Sequence, residues 1–281
     1  MNITMNKMTE LDFKVVHDTL DLSDAGAEIL IELKTKNEDL HAISYKNKLV
    51  GLALVEHGKR AFLYVYVAPS YRCKGIGSKA LELSEQILSK GETKEILACY
   101  KTSSTESKAF AEKFCYKGNF QSKYMKYHGE KFNLNDREVA NIRDYKKEDY
   151  SVAQKLSATA FHQMRVNTGC FPESVVEKPS ESSKKYWSET CDQRYILIDK
   201  DEIIGHARVV ENEIDSLSIK QEHQGKGFGR NFTKFLCNTI LNEKHDYVCL
   251  YCVVGNKAMF LYESLGFKEV YTAEFVIKQF N

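Results

Sequence analysis

No apolar run in this 281-residue chain is long enough to cross a bilayer. The most apolar short stretch, LVGLALV from Leu49, falls far below the roughly 20 residues that a spanning helix needs. The N-terminal stretch MNITMNKMTELDF lacks the apolar centre of a secretion signal, so neither export nor membrane insertion is expected. A charge of one sign is equally missing. Against 39 acidic residues stand 40 basic ones, a net charge of +1. That leaves no electrostatic footprint for nucleic acid or an anionic membrane. The 8 histidines are scattered with none at metal-ligand spacing, and no metal is expected. The 8 cysteines, with no export signal, are expected as reduced thiols in a cytoplasm rather than as a disulfide framework.

Cys249 and Cys252 do form a C-x-x-C, within YVCLYCVV. That segment reads as a strand, where residues three apart project to opposite faces. One zinc ion is out of reach of both sulfurs, and the pair reads as small apolar residues of a buried strand.

What the sequence does contain is a long internal repeat. KNKLVGLALVE (Lys46 to Glu56) parallels KDEIIGHARVV (Lys200 to Val210), matching Gly51 to Gly205. RCKGIG parallels QGKGFG, matching Arg72 to Gln224, and KFCYKGNF parallels SLGFKEVY, matching Tyr116 to Phe267. The separation shrinks slightly along the chain, as small loop deletions would produce. It far exceeds the period of a solenoid, so the unit repeated is a domain. The join lies near the polar, turn-rich GEKFNLNDRE, giving expected domains at 1–132 and 137–281.

Each copy reads alike. A hairpin about a charged turn is followed by a strand running into a glycine turn and an amphipathic helix. A further strand, a short helix and a last strand complete it. The copies differ before the hairpin. LDLSDAGAEILIELKTKNED leaves room for about one helix. Lys146 to Arg194 leaves room for two helices and a loop, a place for a substrate-shaping element.

The glycine turns raise the question of an anion. A helix start leaves amides unpartnered and carries partial positive charge, and glycines let the backbone approach a phosphate. Gly225, Gly227 and Gly229 give G-x-G-x-G, which is neither the dinucleotide fingerprint nor a P-loop. The pattern present is Q/R-x-x-G-x-G/A, as Gln224-x-x-Gly227-x-Gly229 and Arg72-x-x-Gly75-x-Gly77. With the preceding strand and the downstream stretch from Asn256 to Phe267, it resembles the GNAT superfamily of N-acyltransferases. The resemblance spans nearly the whole chain and is stronger in the C-terminal copy.

It implies an α/β (α+β) chain of two tandem domains, each a mixed, mostly antiparallel sheet flanked by helices. It also implies that Gln224, Gly225, Lys226, Gly227, Phe228, Gly229 and Arg230 cradle the pyrophosphate of acetyl-CoA or another acyl-CoA. Arg72, Lys74, Gly75 and Gly77 are the N-terminal equivalents. Two strands would splay to admit the pantetheine arm, aligned by Leu217, Ser218 and Ile219, or by Val65, Tyr66 and Val67. The acceptor would be a small-molecule or peptide amine.

Transfer to an amine needs the amine neutral, and a lysine-like amine of pKa about 10.4 is neutral roughly once in 10³ molecules at pH 7. EIDSLSIK supplies Glu213 and Asp215, two apart and so expected on one strand face, with Glu213 the favoured base for its reach. A solvated strand start is the bland alternative. Tyr262, which matches the family tyrosine, would donate a hydrogen bond to the departing sulfur; its alternative is an aromatic packed in a helix. Asn256 would bond the pantetheine arm or cap the next helix. At the matching N-terminal positions stand Ala61, Leu63, Ala111 and Thr105. The C-terminal copy is therefore expected to carry the chemistry, and the N-terminal copy to bind CoA without turnover or to serve as a packing partner. A non-catalytic acyl-CoA-binding or scaffold protein is the competing reading. Tyr186, Trp187 and Phe171 are candidates for an apolar acceptor pocket, with core packing as the alternative.

Overall fold

The computed structural model describes residues 2–8, 26, 40–135, 141–170 and 174–280. Apart from Gly26, the segment Leu20 to Asp39 lies outside them, as does Phe171. The chain divides into two compact units, Met1–Asn119 with Thr272–Asn281, and Phe120–Tyr271.

In the first unit the strands are β1 (Ile3–Lys7), β2 (Leu40–Tyr45), β3 (Lys48–Glu56), β4 (Arg60–Val67) and β5 (Glu95–Lys101). They lie in sequence order across the sheet, antiparallel up to β4, with β4 and β5 parallel. Two helices follow the last two strands, α1 (Ile76–Leu88) after β4 and α2 (Thr105–Lys113) after β5. The second unit contains β7 (Ile142–Asp144), α3 (Tyr150–Thr168), α4 (Glu181–Glu189), β8 (Arg194–Asp199), β9 (Glu202–Val210), β10 (Glu213–Ile219), α5 (Phe228–Asn242), β11 (Val248–Val253) and α6 (Ala258–Ser264). Its α3 and α4 occupy the long segment before the hairpin.

The last strand of each copy completes the sheet of the other unit. From β6 (Lys117–Tyr127), residues Ser122–Tyr127 pair antiparallel with β11, and from β12 (Lys268–Gln279), residues Ala273–Gln279 pair antiparallel with β5.

Local sequence explains the repeated elements. Both hairpins turn on two residues at positive φ, Lys46 and Asn47 (51° and 60°) and Lys200 and Asp201 (47° and 64°). That geometry matches the right-handed twist of the flanking strands. The matched glycines, Gly51 and Gly205, sit where a Cβ would press on the adjoining strand, at Tyr66 O and at Ile219 Cδ1. Each long helix lays one apolar face on its sheet: Ile76, Ala80, Leu81 and Leu88 in α1, and Phe232, Leu236 and Ile240 in α5. Burial of a side chain of that size contributes about 1.5–3 kcal/mol. A charged residue at Leu236, which has no exposure, would break this packing first.

Candidate active site

Both glycine turns are built the same way. Gly75 (φ 76°) and Gly227 (φ 89°) each precede the first helical residue in the left-handed conformation, and Gly225 (φ 73°) shares it. No atom lies within 4 Å of a Cβ built at Gly225 or Gly227. These glycines are therefore required by the backbone and face open space, where the first-turn amides of α5 lack helical partners. The first residue of each motif closes the turn instead of reaching outward. Gln224 Nε2 donates to Ile219 O (3.0 Å) and Arg72 Nε donates to Val67 O (2.9 Å). Lys74 Nζ donates to Ser70 O (2.8 Å), and Lys226 is exposed. Arg230 Nη2 donates to Ser264 Oγ (2.6 Å), tying α5 to α6. Phe228 and Gly229 are half-buried, Phe228 against the core and Gly229 beside Leu261.

The strands leading into the turns part from their parallel neighbours. β4 pairs with β5 only from Arg60 to Phe62, and β10 pairs with β11 only at Glu213 and Cys249. In the first unit the gap opens into a cavity of about 690 Å³, lined among others by Val67, Arg72, Gly75, Gly77 and Ala111. In the second unit Leu217 and Ile219 pack on the core, and Tyr262, at the position of Ala111, is buried in that same core.

Tyr262 stands 5.8 Å from the Phe267 ring, centroid to centroid. Burial, and then the neighbouring Cys252 and Cys237 thiols, push its phenol up, so it stays protonated and can donate. Burial likewise raises the Cys252 thiol to about 11 and keeps it a thiol; Cys249 is buried as well. Asn256 Oδ1 accepts from Ala258 N (3.0 Å), bracing the turn that leads into α6, whose N-cap is Lys257.

A bulge interrupts the register of β10 between Ile214 and Ser216, at Asp215. The extra residue turns both Asp215 and Ser216 toward a second cavity, of about 200 Å³. Glu213 is half-buried and is not among the residues lining that cavity. Asp215 pairs with Arg208 at 3.2 Å.

The wall of this cavity is polar. Arg194 Nη1 lies 3.2 Å from His206 Nε2, and Arg194 can only donate, so Nε2 accepts and Nδ1 carries the proton. Nδ1 then donates to Ser157 Oγ (2.9 Å), Ser157 to Ser218 Oγ (2.9 Å), and Ser218 to His206 O (3.2 Å). Burial, with Arg194 and Arg208 nearby, pushes His206 down to about 3, which keeps it neutral. Trp187 stacks on the His206 ring at 4.5 Å. His206, Ser157 and Ser218 satisfy one another here, so Ser157→Ala should leave two buried groups short of a partner. We expect a loss of about 1–3 kcal/mol, read as a lower urea midpoint at unchanged slope. A loss below about 0.5 kcal/mol would mean that the chain contributes nothing to folding.

Two family models match this chain. An acetyltransferase (GNAT) domain covers residues 145–280, and the acetyltransferase (GNAT) family covers residues 5–115. The chain belongs to the GNAT superfamily, as a tandem. Solved structures agree on the fold. A GCN5-related N-acetyltransferase from Sphaerobacter thermophilus is 13% identical with a TM-score of 0.64, over 99% of this chain and 96% of its own. A tandem GNAT protein from the clavulanic acid biosynthesis pathway is 12% identical, with a TM-score of 0.61 over 100% and 99%. A GNAT-family acetyltransferase from Colwellia psychrerythraea is 14% identical, with a TM-score of 0.56 over 100% of both. No protein of curated function matches the sequence.

Within this GNAT tandem, the polar wall is the part that sequence reasoning missed. Its signal lay in the repeat. At the positions of Arg194, His206 and Ser218 the N-terminal copy has Leu40, Leu52 and Tyr66, all buried. Polar groups replacing apolar ones at inward positions of a duplicated hairpin mark a site. Trp187 does line a cavity, though a polar one, whereas Tyr186 is 45% exposed. No helix among the described residues is long and apolar enough to cross a membrane.

Proposed function

We propose that this GNAT tandem is an acyl-CoA-dependent N-acyltransferase. It moves an acetyl group from acetyl-CoA to a primary amine by direct attack in a ternary complex. The observation that carries the reading is the C-terminal β10. It runs from a bulge facing a polar cavity, along a strand edge freed from β11, into a glycine turn open to solvent. Acetyl-CoA supplies the acyl carbon and a thiolate leaving group. The turn at Gly225 and Gly227 fits its pyrophosphate, since backbone amides face a space that no side chain fills. Tyr262 holds an O–H for the sulfur, and a carboxylate on β10 takes the ammonium proton, directly or through water. Its eight free thiols suit work in a reducing cytoplasm.

Asp215, rather than Glu213, is the base in this reading, because Asp215 reaches the cavity where an amine would stand. In wild type, kcat/KM should rise with pH as the base deprotonates. In Asp215→Asn that rise should move toward the amine's own pKa, because only the neutral fraction then reacts. Glu213→Gln should leave the profile in place. If the Glu213 variant moves instead, the roles are reversed; if neither moves, the carboxylate hypothesis is lost.

The N-terminal copy holds CoA without turning it over. Ala61 and Leu63 provide no base and Ala111 no phenol, yet the cavity beside them has room for a ligand. The test of the whole reading is thioester consumption from acetyl-CoA across a panel of amines. Binding without consumption on every amine would leave the scaffold reading in its place.

A further inference from the structure

The guanidinium of Arg194 is a buried cation with no ion pair among the described residues, the Asp215 carboxylate acting on it only through space. Its residue is 3% exposed, and among the described residues no carboxylate pairs with it. Arginine has five N–H donors. Here Nε donates to Thr190 Oγ1 (3.1 Å) and Nη1 to His206 Nε2 (3.2 Å), and the other N–H groups have no hydrogen-bond partner among the described residues. The group stacks on Trp187, with Cζ 4.1 Å from the ring centroid. Burial, and then Arg208, push its pKa down to about 10, so it is still charged at neutral pH. Arg208 stands directly opposite in the β8–β9 register, a like-charge pair that costs stability. The carboxylate that acts on Arg194 through space, Asp215, is already engaged by Arg208. A cation buried at the wall of a cavity without an ion-pair partner carries a desolvation cost that an anion entering the cavity would offset.

A second orphan faces the same cavity. Gln154 is 5% exposed, and its Nε2 donates to Glu177 O (3.1 Å). Its Oε1 is buried and has no hydrogen-bond partner among the described residues. An acceptor left this way asks for a donor. The cavity thus offers a planar cationic fork and a lone acceptor, beside Asp215, in about 200 Å³. At roughly 30 Å³ per water that is space for about seven waters. The scale is that of an amino acid.

We propose that the acceptor is a small amine that also carries a carboxylate, with Arg194 binding the carboxylate and Gln154 Oε1 accepting from an N–H or O–H of the same molecule. A carboxylate fits the fork in a planar, two-bonded geometry that an ammonium point charge would not read. This rests on the acyltransferase reading above, and the two are separable because the carboxylate site has its own signal. Trp187 is the single tryptophan of the chain and lies against Arg194, so its fluorescence reports occupancy directly.

The experiment pairs glycine, L-serine and L-glutamate with their α-amides. Each is titrated against the full chain by Trp187 fluorescence and tested as an acceptor with acetyl-CoA. At least one amino acid should quench saturably and be acetylated, and its amide should lose about 10- to 100-fold in both. Arg194→Lys should erase that discrimination, because lysine keeps the charge without the fork. Should that variant not fold, Gln154→Met should weaken binding of the same amino acid about 10-fold. Acetylation that ignores the carboxylate would overturn the proposal while leaving the acyltransferase reading intact. Carboxylate binding with no acetylation of any amine would uphold the Arg194 site and sink that reading. Absence of both, or inorganic phosphate binding more tightly than every carboxylate, would overturn the proposal.

Discussion

Tyr262→Phe should lower turnover by about 10²-fold while acetyl-CoA affinity stays nearly unchanged. The ring is buried in the core of the second unit, so phenylalanine keeps its contacts with Phe267 and its neighbours. What disappears is one hydroxyl that makes no hydrogen bond to protein among the described residues. An O–H held ready for a developing thiolate acts mostly in the transition state, where such donors contribute about 10²–10³ in kcat. Its phenol, raised by burial, is a poor acid, so the role proposed for it is donation of a hydrogen bond, with proton transfer completed late. The measurement is kcat and KM for acetyl-CoA, together with a binding titration of each protein. Turnover within about twofold of wild type would make Tyr262 a packing aromatic and nothing more.

The elements of each copy were legible because their signals are local. The Lys-Asn and Lys-Asp turns, the alternating hairpins and the apolar faces of α1 and α5 are short-range patterns, and the repeat supplied each of them twice. The partner of the last strand was not legible. β6 belongs to the first copy by sequence, yet it hydrogen-bonds to β11, and β12 to β5. Two last strands of similar character suit either edge, so their own residues do not announce which edge each takes. The bulge at Asp215 was hidden for a related reason. Alternation predicts that residues two apart share a face, and one inserted residue breaks that count without leaving a glycine or proline as a marker. The buried chain from Arg194 to Ser218 joins α3, β8, β9 and β10, so no window of sequence contains it.

The assignment proposed above, chemistry in the C-terminal copy and binding alone in the N-terminal one, can be tested at the two glycine turns. Gly227→Glu places a carboxylate among backbone amides that face solvent, and forces a non-glycine residue to φ 89°. The strain costs about 1–2 kcal/mol, which a thermal melt would register. The larger effect is electrostatic. Charge-assisted hydrogen bonds to phosphate contribute roughly 1.5–3 kcal/mol each, so losing one or two should weaken acetyl-CoA binding at that copy by 10²-fold or more. Turnover should vanish with it. Gly227→Asn is the control, since asparagine tolerates the left-handed conformation and brings no charge; it should keep binding to within several-fold. Gly75→Glu makes the same change in the N-terminal copy, at φ 76° beside the 690 Å³ cavity. It should remove one class of sites from a calorimetric titration and leave kcat with the amine untouched. If Gly75→Glu abolishes turnover while Gly227→Glu spares it, the chemistry belongs to the N-terminal copy, and the roles assigned to Asp215 and Tyr262 fall together.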